Sequence, residues 1–122
     1  MLELPWPEAC LAQNARGHWA SSAGRKKKAR VVAKRITIEA MRKVKLPRCD
    51  SVRLTMVFHQ PLVKRARDMQ NVFGAMKYAV DGIADAIGID DSKFEWGAPS
   101  WGEAVEDGKV IVMIEPMKGA GK

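Results

Sequence analysis

Between Val72 and Ile87 the apolar residues keep helical register, and Gly88 follows at once. At about 100° per residue, Val72, Phe73, Met76, Ala79, Val80, Ile83, Ala84 and Ile87 fill an arc of about 140°. Gln70, Asn71, Lys77, Asp81 and Asp85 gather on the other side, within about 120°. Gly88 suits the left-handed residue that stops a helix. Gly74 and Gly82 each weaken the helix by about 1 kcal/mol relative to alanine, which marks them as points where another backbone comes close. Such a helix needs an apolar layer beneath it, and the rest of the chain has to supply one.

Two stretches read as strands. Ser51 to Gln60 alternates Val52, Leu54, Met56 and Phe58 with Arg53, Thr55, Val57 and His59, and Pro61 ends it. Lys109 to Glu115, with Val110, Ile111, Val112, Met113 and Ile114 inside, is the strongest strand pattern in the chain. Leu2 to Pro5 and Ser92 to Trp96 are shorter candidates. The last of these and Lys109–Glu115, joined by the Gly- and Pro-rich loop 97–108, suggest a hairpin with a long connection.

Arg25 to Val44 is a second helix. Ala29, Val32, Ala33, Ile36, Ala40 and Val44 form its core arc of about 120°. Lys27, Arg30, Lys34, Arg35 and Arg42 lie opposite, while Val31, Ile38 and Met41 interrupt that polar side and hint at a second contact. Residues 8–24 read as a loop or arm, either a DNA-contacting flap or a loose connection, and 116–122 as a frayed tail. The 122 residues make one domain, 1–122, of mixed α+β class: one mixed sheet with two main helices.

Charge narrows the function. The chain carries +7 overall, with 16 Lys and Arg against 4 Asp and Glu in residues 1–67 (+12) and 5 against 10 in residues 68–122 (−5). A basic surface gathers phosphates, and an acidic pocket beside it repels them unless a cation intervenes; lopsided solvated halves are the plainer reading. No window approaches the roughly 18 consecutive apolar residues of a membrane span, and the N-terminus lacks the pattern of a signal peptide. Cys10 and Cys49 have no metal or disulfide spacing, and a reducing, cytoplasmic setting is expected.

Hard cations take carboxylate oxygens, often one or two, with waters and substrate phosphates completing the shell. Asp68, Asp90 and Asp91 are ligands of the right type. Each also has a plain structural use: Asp68 as a helix N-cap, Asp90 and Asp91 as turn residues. Lys64, Arg65 and Arg67 precede Asp68 directly, as a phosphate clamp or as an ordinary basic loop. His18 and His59 have no ligand spacing between them, and no Gly-rich phosphate loop is present. One of the four tryptophans is a candidate for stacking on a base, with core packing the ordinary use for the others.

Taken together, Leu4-Pro5-Trp6-Pro7, the later Asn14, the basic run into Arg67-Asp68-x-x-Asn71, Lys77, Asp81-Gly82-Ile83 and Gly88-Ile89-Asp90-Asp91-Ser92 resemble the RusA-like Holliday-junction resolvases, small endodeoxyribonucleases common in phages and prophages. The resemblance follows the order of elements over nearly the whole chain and is most specific from Arg67 to Ser92. It implies a Mg²⁺-dependent homodimer, with Mn²⁺ as an alternative ion, that resolves four-way DNA junctions in recombination and repair by paired strand cleavage. The family's acidic catalytic positions fall on Asp68, residue 70 and Asp91, with an assisting lysine on the following helix. On that basis Asp68, Gln70, Lys77 and Asp91 are the catalytic candidates and Asp68, Asp90 and Asp91 the metal ligands. Lys27, Arg30, Lys34, Lys64, Arg65 and Arg67 are the DNA-binding candidates.

The sequence departs from the family pattern twice. Gln70 replaces the second aspartate of the Asp-x-Asp-Asn motif, which removes a negative charge and leaves a junction- or nucleic-acid-binding protein with weakened catalysis as the alternative reading. Gly74 stands where the lysine is commonest, and Lys77 follows about one helical turn later. Geometry adds a constraint: a straight helix from Asp68 to Ile87 would separate its ends by about 28 Å. Asp68 and Asp91 share an ion only if the chain folds back after Gly88 or if two subunits pack antiparallel and pool their residues.

Overall fold

A computed structural model of the protein describes residues 1–7, 19–47, 49–62 and 69–117, and of residues 19–22 and 69–71 the backbone only. Among the described residues, one mixed sheet carries three α-helices. The elements run β1 (Leu2–Pro5), α1 (Trp19–Lys43), β2 (Ser51–His59), α2 (Met69–Ala75), α3 (Lys77–Ile87), a 3₁₀ turn (Asp91–Lys93), β3 (Phe94–Trp96), β4 (Ser100–Trp101) and β5 (Lys109–Met117). The strand order is β1-β5-β2-β3, with β4 also on β2.

The alternation in Ser51–His59 sets the sheet's two faces. Val52, Leu54, Met56 and Phe58 are buried, opposite Pro116, Ile114, Val112 and Val110 of antiparallel β5. β5 in turn pairs with β1, where Leu2 meets Val112 and Leu4 meets Val110. Ala33 from α1, Val72 and Met76 from the α2–α3 region, and Ala79, Val80 and Ile83 from α3 close this core. Truncating a fully buried side chain such as Leu54 costs about 2–5 kcal/mol.

The expected hairpin between β3 and β5 does not form. β2 lies between them, parallel to β3 and antiparallel to β5. Parallel pairing requires a crossover, and the α2–α3 segment provides it. The 97–108 loop also contains β4, which runs parallel to β2 at Val57 and Phe58.

Other boundaries move. α1 begins at Trp19, inside the stretch expected to be loop, where Ala20 and Ala23 favour helix; residues 8–18 lie outside the described set. It ends at Lys43, so Val44 is 78% exposed and leaves the expected core arc. Thr37, the buried polar residue of the core among the described residues, donates its hydroxyl to the Ala33 carbonyl at 2.7 Å and is thereby satisfied. The central helix breaks at Met76, whose N–H bonds the Phe73 carbonyl at 3.1 Å, a tightened i→i−3 contact. Strand β5 runs on through Pro116 and Met117, and 118–122 fall outside the described residues.

The described tryptophans pack on phenylalanines: Trp6 and Trp101 on Phe58, with centroids 6.4 and 5.8 Å away, and Trp96 on Phe73 and Phe94. Among the described residues no helix is long and apolar enough to cross a membrane.

Candidate active site

α3 carries Lys77, Asp81 and Asp85 four residues apart, so they form one stripe along the face turned from the core. The stripe is bounded on one side by α1. At Gly82 the two helices touch backbone to backbone: a methyl group there would overlap the Arg30 carbonyl oxygen and crowd the Lys34 amide. This is the close approach expected from the glycine.

One turn on, Arg30 donates to Asp85 from Nε at 2.6 Å and from a terminal nitrogen at 2.9 Å. The bidentate bond holds the Asp85 carboxyl below its ordinary range, and the Lys34 charge adds to the effect. Arg30 therefore takes part in the helix–helix contact, with about half of its side chain still exposed. Lys27 and Lys34 are exposed on α1, as the helical wheel requires.

Asp81 has the opposite environment. Burial against α1 pushes its carboxyl above the ordinary range; Arg30 and Lys77 draw it down, while Asp91 and Asp85 push it up. That Asp91 acts on Asp81 locates the end of the chain reversal. Gly88, at φ 75° and ψ 20°, caps α3 and donates to the Ala84 carbonyl at 2.9 Å. The chain then turns back, and Asp90 caps the 3₁₀ turn: it accepts the Ser92 N–H at 3.1 Å and also the Ser92 hydroxyl. These bonds hold Asp90 below the usual carboxylate range and make it the fastener of the turn. Asp91, next in line, is exposed.

Of the predicted residues, Arg30, Asp91 and Lys77 each act electrostatically on Asp81. The sequence reading placed Asp81 on the right face but not among the site residues; its spacing of four from Lys77 is the signal that points to it. Gln70 lies in the first turn of α2, with its side chain outside the described set, and Asp68, Lys64, Arg65 and Arg67 fall outside it altogether. The helix break at Met76 and the reversal at Gly88 replace the straight 20-residue span, so Asp91 returns along α3 within a single chain.

Among the described residues no group of three or more His, Cys, Asp or Glu side chains is arranged to hold a metal ion. Asp91 lies within electrostatic reach of Asp81, and a divalent oxygen-seeking cation such as Mg²⁺ is commonly held by one or two carboxylates with waters and phosphates around it. The donor chemistry fits such an ion, and the unfavourable ionisation of Asp81 is of the kind a nearby cation relieves.

No family model matches the chain. A protein of Xylella fastidiosa strain Temecula1, named "Uncharacterized protein", is 34% identical over 117 residues, which span 93% of this chain and 74% of that relative.

Proposed function

We propose, for a chain that belongs to one family with this Xylella fastidiosa protein, a Mg²⁺-dependent endodeoxyribonuclease of the RusA-like type that acts as a homodimer on four-way DNA junctions. One observation carries the reading: the reversal at Gly88 returns Asp91 to the field of Asp81, on the helix face that presents Lys77. The sequence resemblance from Arg67 to Ser92 supports it independently.

Asp91 and Asp81 would hold the cation, with Asp68 and Gln70 joining them as the resemblance implies. When bound, the ion supplies Lewis-acid polarisation of a phosphate and offsets the charge that builds on it. Lys77, exposed at the start of α3, places an ammonium beside the same phosphate. Lys27 and Lys34 extend the positive surface along α1, where phosphates displace counterions. Asp90 keeps Asp91 in place through Ser92.

The second reading, a junction-binding protein with little catalysis, is favoured by Gln70, which supplies an amide oxygen where the family carries a charge. A synthetic four-way junction incubated with the protein, with and without Mg²⁺, separates the two. Paired nicks that require Mg²⁺ and vanish in Asp68→Asn support the nuclease. Salt-sensitive binding without nicks supports the binding protein, and indifference to DNA removes both.

A further inference from the structure

An apolar groove of about 210 Å³ lies on the other side of α1 from the Arg30–Asp85 pair, between the end of β1, the N-terminal half of α1 and the α2–α3 junction. Trp6, Pro7, Ala29 and Met76 line it, and Arg25 and Lys28 stand beside them. Trp6 is fixed by its edge-to-face contact with Phe58, 6.4 Å between centroids at 84°. Arg25 and Lys28 are three residues apart and so share one side of α1; they begin and end the run Arg25-Lys26-Lys27-Lys28.

Size, lining and charge define the occupant. A cavity of about 150 Å³ accepts a benzene ring, and drug-sized sites run to about 300–1,000 Å³; this groove takes one ring system. Its walls favour a flat apolar body, while its cations favour a negative charge held at the mouth. A second copy of the chain meets neither need, because an isologous contact here would bring the same cations together.

We propose that this groove receives a single unpaired DNA base at the branch point, stacked against Trp6, with a flanking phosphate on the exposed Lys28. The proposal rests on the nuclease reading for its substrate and adds a means of selection. Removing a paired base from its stack costs a few kcal/mol, and an unpaired one much less, so the groove discriminates by branch-point structure and not by sequence.

The test is binding in EDTA, where cleavage plays no part, to two four-way junctions that differ by one unpaired thymidine at the crossover. The full chain binds the junction with the unpaired base about tenfold more tightly, the scale of one stacked base. Ala29→Phe, which fills the groove, brings the ratio of the two affinities to about one. Lys28→Gln, at an exposed position, lowers both affinities and reduces the slope of log K against log salt by about one. Should Ala29→Phe fail to fold, 2-aminopurine at the unpaired position gives a separate readout: bound to the parent chain it is shielded from acrylamide. Equal affinities, a preference that survives Ala29→Phe, or an unshielded 2-aminopurine overturns the groove proposal. A chain that nicks junctions in Mg²⁺ yet shows no preference loses the groove alone; a chain that binds no DNA loses the nuclease reading as well.

Discussion

Asp81 and Asp85 sit one turn apart on the same helix and face opposite conditions. Asp85 is held by two hydrogen bonds from Arg30 and lies below its ordinary range. Asp81 is more deeply placed, has no such bond described, and is pushed up by burial with Asp91 adding to the effect. The first arrangement fastens α3 to α1. The second leaves a carboxylate whose ionisation burial disfavours, a perturbation that active sites also show. Two carboxylates of α3 thus sit in opposite electrostatic surroundings within about 6 Å of helix rise.

The largest expected effect breaks the site side of this contrast. Asp91→Asn lowers the single-turnover rate of junction cleavage by on the order of 10²–10³-fold, as loss of one charge-stabilising group typically does, with the melting temperature little changed. Gly82→Ala breaks the other side. Overlap with the Arg30 carbonyl costs up to about 3 kcal/mol, against a helix-propensity gain of about 1 kcal/mol, and urea denaturation shows a net loss of about 2 kcal/mol. Lys77→Ala reduces cleavage by about tenfold, within the range for one positioned charge, and leaves junction binding within about twofold of the parent chain.

The smallest effects are in stability against pH. Asp81's folded value lies above its unfolded one, so its contribution is fully present at low pH and is lost as the pH rises through the folded value. Asp85's folded value is depressed, so its contribution is present above the ordinary carboxylate value of about 3.9 and is lost as the pH falls through the folded value. At neutral pH Asp81→Asn therefore melts above the parent chain and Asp85→Asn below it. Both differences shrink as melts are repeated toward about pH 3. Melts that move the same way for the two variants erase the contrast.

Much of the scaffold was legible in the sequence because it depends on local pattern. The period-two run from Val52 to Phe58 fixes a strand with one buried face, and Gly88 stops α3 by conformation alone. Gly82 announced a backbone contact. What stayed hidden depends on distant partners. Nothing in Phe94-Glu95-Trp96 says that it pairs parallel to β2, since a three-residue strand takes its place from the sheet it joins. Arg30 reads as one more cation on a solvated face until α3 brings Asp85 against it. Asp81 reads as a surface carboxylate until α1 covers it and the turn fastened by Asp90 returns Asp91 to its field. Asp68 and Gln70 enter the proposed site from the resemblance alone.

Whether Asp68 completes the site from its own chain or from a partner is open to a mixing experiment. Asp68→Asn and Asp91→Asn chains, each inactive alone, regain junction cleavage as heterodimers if the two residues meet across the two-fold axis. If the sites lie within one chain, each site of the heterodimer keeps one defect and no activity returns; recovered activity therefore supports sharing, and none contradicts it.

The central claim is that one turn of α3 separates a catalytic carboxylate from a structural one. Single-turnover cleavage of a synthetic four-way junction in Mg²⁺, by Asp81→Asn and Asp85→Asn side by side, tests it. The account predicts a loss of about 10²-fold for Asp81→Asn and a rate within about twofold of the parent chain for Asp85→Asn. Equal losses in the two variants, or a rate for Asp81→Asn that matches the parent chain, would contradict it.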